Sequence, residues 1–156
     1  MTKIILTLIL NLCIANSFAQ DYSNLANESF NSSDSFKAAE MKVLECSNYI
    51  LNNPYVKNDL NRLNALQYIL KWMEGTPDYM FTIGDEAMKL TKGKPQLMTI
   101  YFSAMVKTVL ENPESNLSDN EIQQKAKAAI VEYCSKPENG MKPTKELKRI
   151  LKQQNS

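Results

Sequence analysis

The chain has 156 residues, with 18 Lys+Arg against 17 Asp+Glu, no histidine, three cysteines and four glycines. Near-balanced charge argues against a dedicated nucleic-acid binder, which carries a clear basic excess. The missing histidine excludes Ser-His-Asp and Cys-His catalysis, His-ligated zinc and a histidine pH switch together. Few glycines, and neither a Gly-x-Ser-x-Gly nor a Gly-Lys-Ser/Thr run, leave no nucleophile elbow and no phosphate loop. No cofactor is expected, and the length suits one domain.

Residues 1–19 have the three-part layout of a secretory signal peptide. Lys3 gives a basic start, Ile4 to Ala15 is mostly aliphatic, and Ser17 and Ala19 are small residues set for a cut before Gln20. The apolar run is well short of the roughly 20 residues needed to span a bilayer. Leu12 before Cys13 does not fit a lipid-anchor site. Cleavage removes Lys3 and Cys13, leaving a mature chain of 17 positive and 17 negative side chains with two cysteines. The product is expected in the periplasm or outside the cell, with no membrane-spanning segment.

Residues 20–34 are rich in Asn and Ser without period, and read as a flexible leader. Residues 35–154 read as a single helical domain. A first helix follows Asp34 or Ser35 and runs to about Leu51, with Phe36, Ala39, Val43, Leu44, Ile50 and Leu51 on one stripe, stopped by Asn52-Asn53-Pro54. A second spans Asn58 to Glu74 and is apolar nearly all round, which predicts burial by several neighbours. A short helix covers Asp85 to Leu90. The next runs from Pro95, well suited to a first turn, to Glu111, and is again apolar on most sides. Ser118 with Glu121 has capping-box spacing and opens a helix ending at Lys136-Pro137. Thr144 to Gln153 forms a last, basic helix. The expectation is an all-α fold of about six helices in antiparallel hairpins. It is either an irregular bundle or a short array, since the starts at Asp85 and Ser118 lie about 34 residues apart, the period of a tetratricopeptide-type repeat.

Several residues carry possible chemistry. Cys46 and Cys134 lie at the edges of their stripes, and in an exported protein they form a candidate disulfide. It would close a loop of roughly 90 residues and contribute about 4–5 kcal/mol in the chain-entropy model. The alternative is two free, buried thiols. Two cysteines without histidine make a poor metal site. Arg62 falls on an apolar sector of its helix. A buried arginine serves either as a structural clamp on carbonyls or a carboxylate, or as a grip on a ligand carboxylate or peptide terminus. Trp72, Tyr79 and Phe81 concentrate aromatic mass around the loop Gly75 to Phe81, which either folds over the core or presents a contact surface. Asp85-Glu86 and Asp119 with Glu121 sit at helix starts, where negative charge complements the dipole. Lys142, Lys145, Lys148, Arg149 and Lys152 make the last helix basic, as a solvated helix end or a weak contact for an anionic surface.

The runs Val43-Leu44-Glu45-Cys46, Asn58 to Gln67, Trp72-Met73-Glu74-Gly75-Thr76-Pro77-Asp78-Tyr79 and Ala87-Met88-Lys89-Leu90 resemble small exported bacterial proteins of unknown function, over most of the mature chain. The helical hairpins also show a weak resemblance to tetratricopeptide-like units, without the Trp-Leu-Gly-Tyr signature. The first resemblance implies a Gram-negative envelope or secreted setting. It brings no activity, substrate or functional residue.

The function expected is non-enzymatic binding of a protein or peptide by a helical groove or face, with Arg62, Trp72, Tyr79 and Phe81 as candidate contacts. One alternative is a carrier of a small apolar ligand between the second and fourth helices, lined by Met73, Met98 and Met105. Another is a hydrolase using carboxylates alone, which no spacing favours.

Overall fold

The computed structural model describes residues 22–154, so the signal-peptide reading of residues 1–19 and the cut before Gln20 lie outside the described residues. Six helices run in order: α1 (Ser33–Asn52), α2 (Leu60–Gly75), α3 (Asp85–Thr91), α4 (Pro95–Leu110), α5 (Asp119–Ser135) and α6 (Lys145–Gln154). One 3-10 turn, Leu25–Asn27, precedes α1 and another, Pro137–Asn139, lies between α5 and α6, and no strand occurs among the described residues. The class is all-α, as the apolar periodicities require.

Local chemistry sets the helix ends. Ser32, two or three residues ahead of the expected cap, starts α1 by accepting from the Ser35 backbone N–H, and Ser35 reciprocates. Asp59 caps α2 by accepting from the Arg62 N–H. Ser118 and Glu121 form the capping box of α5 read from their spacing. Pro95 occupies the first turn of α4, where no amide hydrogen is needed.

The bundle is organised around α4, which packs against α1, α2, α3 and α5. Ten of its sixteen residues are buried, so it is the helix enclosed by its neighbours. Serine and threonine within the core return their hydroxyls to carbonyls one turn earlier: Ser103 to Thr99, Thr99 to Pro95, and Ser47 to Val43 on α1, at 2.8–2.9 Å. These small side chains therefore bury no orphaned hydroxyl where the helices meet. Because α4 serves as a common partner for both earlier and later helices, the arrangement is an irregular bundle and not a stack of hairpins that touch only their neighbours.

The structure corrects two sequence expectations. The stretch read as a flexible leader is packed from Tyr22 onward. Tyr22 and Leu25 belong to the buried core, and the Tyr22 ring lies 5.0 Å from that of Tyr49. Phe30 contacts Phe36 and Tyr68, and the Lys71 ammonium donates to the Glu28 carbonyl. Three anchors spread through a polar stretch make an irregular strap, which has no periodicity to detect. The second correction concerns α2. It buries only Arg62, Ala65, Tyr68, Ile69 and Trp72, and leaves Leu60 and Leu63 exposed.

Truncating a buried aromatic ring costs about 3–5 kcal/mol. Tyr22→Ala is therefore expected to lower the denaturant midpoint by that order at unchanged slope. An unaltered midpoint in a urea titration would show that the strap is not part of the cooperative fold.

Candidate functional site

Among the described residues, exposed apolar side chains cluster at the start of α2. Leu60 (70% exposed) and Leu63 (48%) stand one turn apart, and Val56 (60%) lies in the preceding loop. With Tyr55, Leu66, Pro95 and Thr99 they line an open groove of about 450 Å³ between the first turns of α2 and α4. That volume is within the ~300–1,000 Å³ range of ligand-binding clefts. Arg62, only 5% exposed, also lines it.

The wall formed by residues 53–59 is held in place. The Tyr55 N–H donates to the Asn139 carbonyl at 2.9 Å, and the Asn139 amide in turn donates to the Tyr133 carbonyl. Asn58 adopts φ 63°, a left-handed turn that asparagine tolerates, and directs the chain into the Asp59 cap. Gly140, at φ 64°, lets the chain reverse beside the Tyr55 carbonyl.

At this point three segments converge on one oxygen. The Tyr133 hydroxyl of α5 donates to the Asn53 carbonyl, just past the end of α1, at 2.7 Å. Arg62 of α2 donates to the same carbonyl at 3.4 Å and to the Tyr133 hydroxyl at 3.3 Å. Its guanidinium lies 6.0 and 5.8 Å from the Tyr55 and Tyr133 ring centroids, within cation–π range. Burial raises the Tyr133 pKa, with Arg62 opposing, so the phenol stays a neutral donor. Asp59 is the one acid in the groove lining, and both its oxygens are engaged: Oδ1 by the Arg62 backbone N–H, Oδ2 by the Tyr49 hydroxyl.

The other candidate residues fall elsewhere. Trp72 is fully buried and donates its indole N–H to the Phe36 carbonyl at 3.0 Å. Tyr79 and Phe81 pack on it with centroids 5.6 and 6.0 Å away, so the loop after α2 folds back over the core. These three rings lie near the C-terminal end of α2, whereas Arg62 lies in its first turn. Met105 is buried core, and the Met98 sulfur takes a hydrogen bond from Thr91. Three of the four paired acids have side-chain partners, and Asp85 lies in the first turn of α3: Glu86 binds Lys127 and Gln124, Asp119 accepts from Thr82, and Glu121 completes its capping box. On α6, Arg149 forms a two-pronged pair with Glu146, which offsets part of the basic excess of Lys142, Lys145, Lys148 and Lys152. No helix among the described residues is long and apolar enough to cross a membrane, and no metal-binding cluster occurs among them.

The disulfide expectation fails. Cys46 and Cys134 are both free and buried. Cys46 sits in the core on α1 and Cys134 on α5, two helices that each take α4 as a principal partner. Burial pushes the Cys46 thiol up to about 12, with nearby Glu45 adding to the effect, and the Cys134 thiol to about 11. Neither is a reactive thiolate at neutral pH.

Sequence reading singled out Arg62 but missed Tyr55, Val56, Leu60, Leu63 and Gln96 around it. Comparison with known proteins adds no guide to the site: no family model, no curated protein and no solved structure matches the chain.

Cys46 and Cys134 are expected to resist iodoacetamide in the native state and to alkylate together in denaturant without reductant. Mass spectrometry that finds a bridged, unalkylated form in denaturant would contradict the free-thiol structure.

Proposed function

We propose that the protein is an exported, non-enzymatic recognition module that binds a protein or peptide partner in the groove at the start of α2. The observation that carries this reading is the groove itself: Val56, Leu60 and Leu63 are left in solvent on a braced scaffold, beside a buried cation. An exposed leucine alone means nothing, but a cluster of three around a polar anchor is the composition of a contact surface. Full burial of such a side chain is worth roughly 1.5–3 kcal/mol, and these three, 48–70% exposed, forgo about half to two-thirds of it. Their exposure is a cost to the free protein that a partner removes.

Export is supported by the layout of residues 1–19, and the resemblance to small exported bacterial proteins points the same way. Intact mass of the protein recovered after expression in a Gram-negative host is expected to correspond to a chain beginning at Gln20. A retained Lys3-containing segment in the soluble fraction would overturn that part of the proposal.

For binding, the expected result is capture of a defined partner from an envelope extract by the mature chain, lost on Leu60→Asp and on Leu63→Asp. Both positions are exposed, so each variant should keep its thermal midpoint to within about 0.5 kcal/mol of stability. Capture that survives both substitutions would remove the groove as the binding surface.

A further inference from the structure

Resting on the recognition reading above, we propose that the groove takes the carboxyl-terminal end of a peptide chain, with the terminal carboxylate held by Arg62 and the last apolar side chains lying on Val56, Leu60 and Leu63. A guanidinium has five N–H donors. The described residues supply Arg62's side chain with two acceptors, the Asn53 carbonyl at 3.4 Å and the Tyr133 hydroxyl at 3.3 Å, both neutral and both at the long end of the range. It forms no salt bridge among the described residues. A buried charge is normally paired, and an arginine in particular matches a carboxylate two-on-two.

Nor does the fold need this arginine to close its own hydrogen bonds. The Asn53 carbonyl already takes a 2.7 Å bond from Tyr133, so Arg62 adds only a second, longer one. The fold therefore gives this charge neutral partners and ring faces but no anion among the described residues, and it lies in the wall of an open groove.

The surroundings extend the complementarity. A second hollow shares Tyr55 and Gln96 with the groove and adds Lys94, Met141 and Lys142. Three cations thus border a joined surface whose one acid, Asp59, is engaged on both oxygens. Lys94 precedes α4 and supplies no side-chain cap, so the positive end of a sixteen-residue helix faces the same region. The occupant must be anionic at one end and apolar beside it. Its length must also offer hydrogen-bonding groups, because the exposed amides of Asn58 and Gln96 interrupt the apolar wall. A peptide terminus meets all three conditions. A fatty acid meets the first two only, and an open groove would leave its chain in water.

The test is a library of random heptapeptides displayed with free carboxyl termini, panned against the mature chain Gln20–Ser156. Enriched peptides are then synthesised as the free acid and as the amide. Expected are apolar final residues and a loss of affinity of at least about tenfold on amidation. Arg62→Met should abolish the difference between acid and amide, and Arg62→Lys should retain part of it. If Arg62→Met does not fold, the acid and amide pair on the unaltered protein decides the matter alone. Equal binding of acid and amide, no enrichment, or stoichiometric binding of laurate in place of peptide would overturn the inference. Partner capture that remains sensitive to Leu60→Asp in those cases would leave the recognition reading intact and remove only the carboxylate grip.

Discussion

The junction at the Asn53 carbonyl is the contact on which the rest of the site depends. One oxygen just beyond α1 receives the Tyr133 hydroxyl from α5 and the Arg62 guanidinium from α2. Helices distant in sequence are thereby fixed against one another at their ends, where bundles are otherwise loosest. The loop from Asn53 to Asp59 could have been a slack connection. It is instead clamped by that carbonyl, by the Tyr55–Asn139 backbone bond and by the Asp59 cap, and so becomes a wall of defined shape. A groove with fixed walls loses little conformational freedom when it is filled, which is what a recognition surface needs.

The two ends of α2 resolve their apolar content in opposite ways. At the C-terminal end Trp72 is sealed by Tyr79 and Phe81 on the returning loop, and by Phe36 on α1. Gly75 stands there because an added Cβ would meet the Phe36 ring at 2.4 Å. At the N-terminal end no segment returns over Leu60 and Leu63 among the described residues. A single helix thus has one end closed as core and the other left open, and the open end is where the unpaired cation lies.

Much of the architecture was legible in the sequence. Asp59, Pro95 and the Ser118–Glu121 pair act through local chemistry, and all six helices lie close to where their periods place them. What was not legible depends on packing at long range. Helical spacing says that α2 is apolar all round, but not that its neighbours are too few to cover it. Tyr22 and Phe30 stand in an Asn- and Ser-rich stretch that reads as a flexible leader, because an irregular strap leaves no period. The cysteine pairing failed for the same reason: each thiol lies on a buried stripe, and the stripes belong to helices that share α4. Arg62 was legible as an anomaly, a charge in an apolar sector, but its two candidate explanations differ only in what stands beside the guanidinium.

That last distinction can be argued further. A purely structural arginine is recognised by how completely it is used: its donors are spent, usually on a carboxylate, and its removal leaves acceptors unsatisfied. Arg62 meets the test in part. It bridges Asn53 and Tyr133 and lies within cation–π range of the Tyr55 and Tyr133 rings, which accounts for its position. The fold supplies no anionic partner for the charge among the described residues. Tyr133 serves the Asn53 carbonyl without help, and a neutral side chain of similar length would fill the space between the rings without the cost of desolvating a cation. The geometry is explained by the fold, while the charge has only neutral partners among the described residues. The leucines beside it raise the same question in apolar terms, and a ligand that is apolar along its length and anionic at its end answers both.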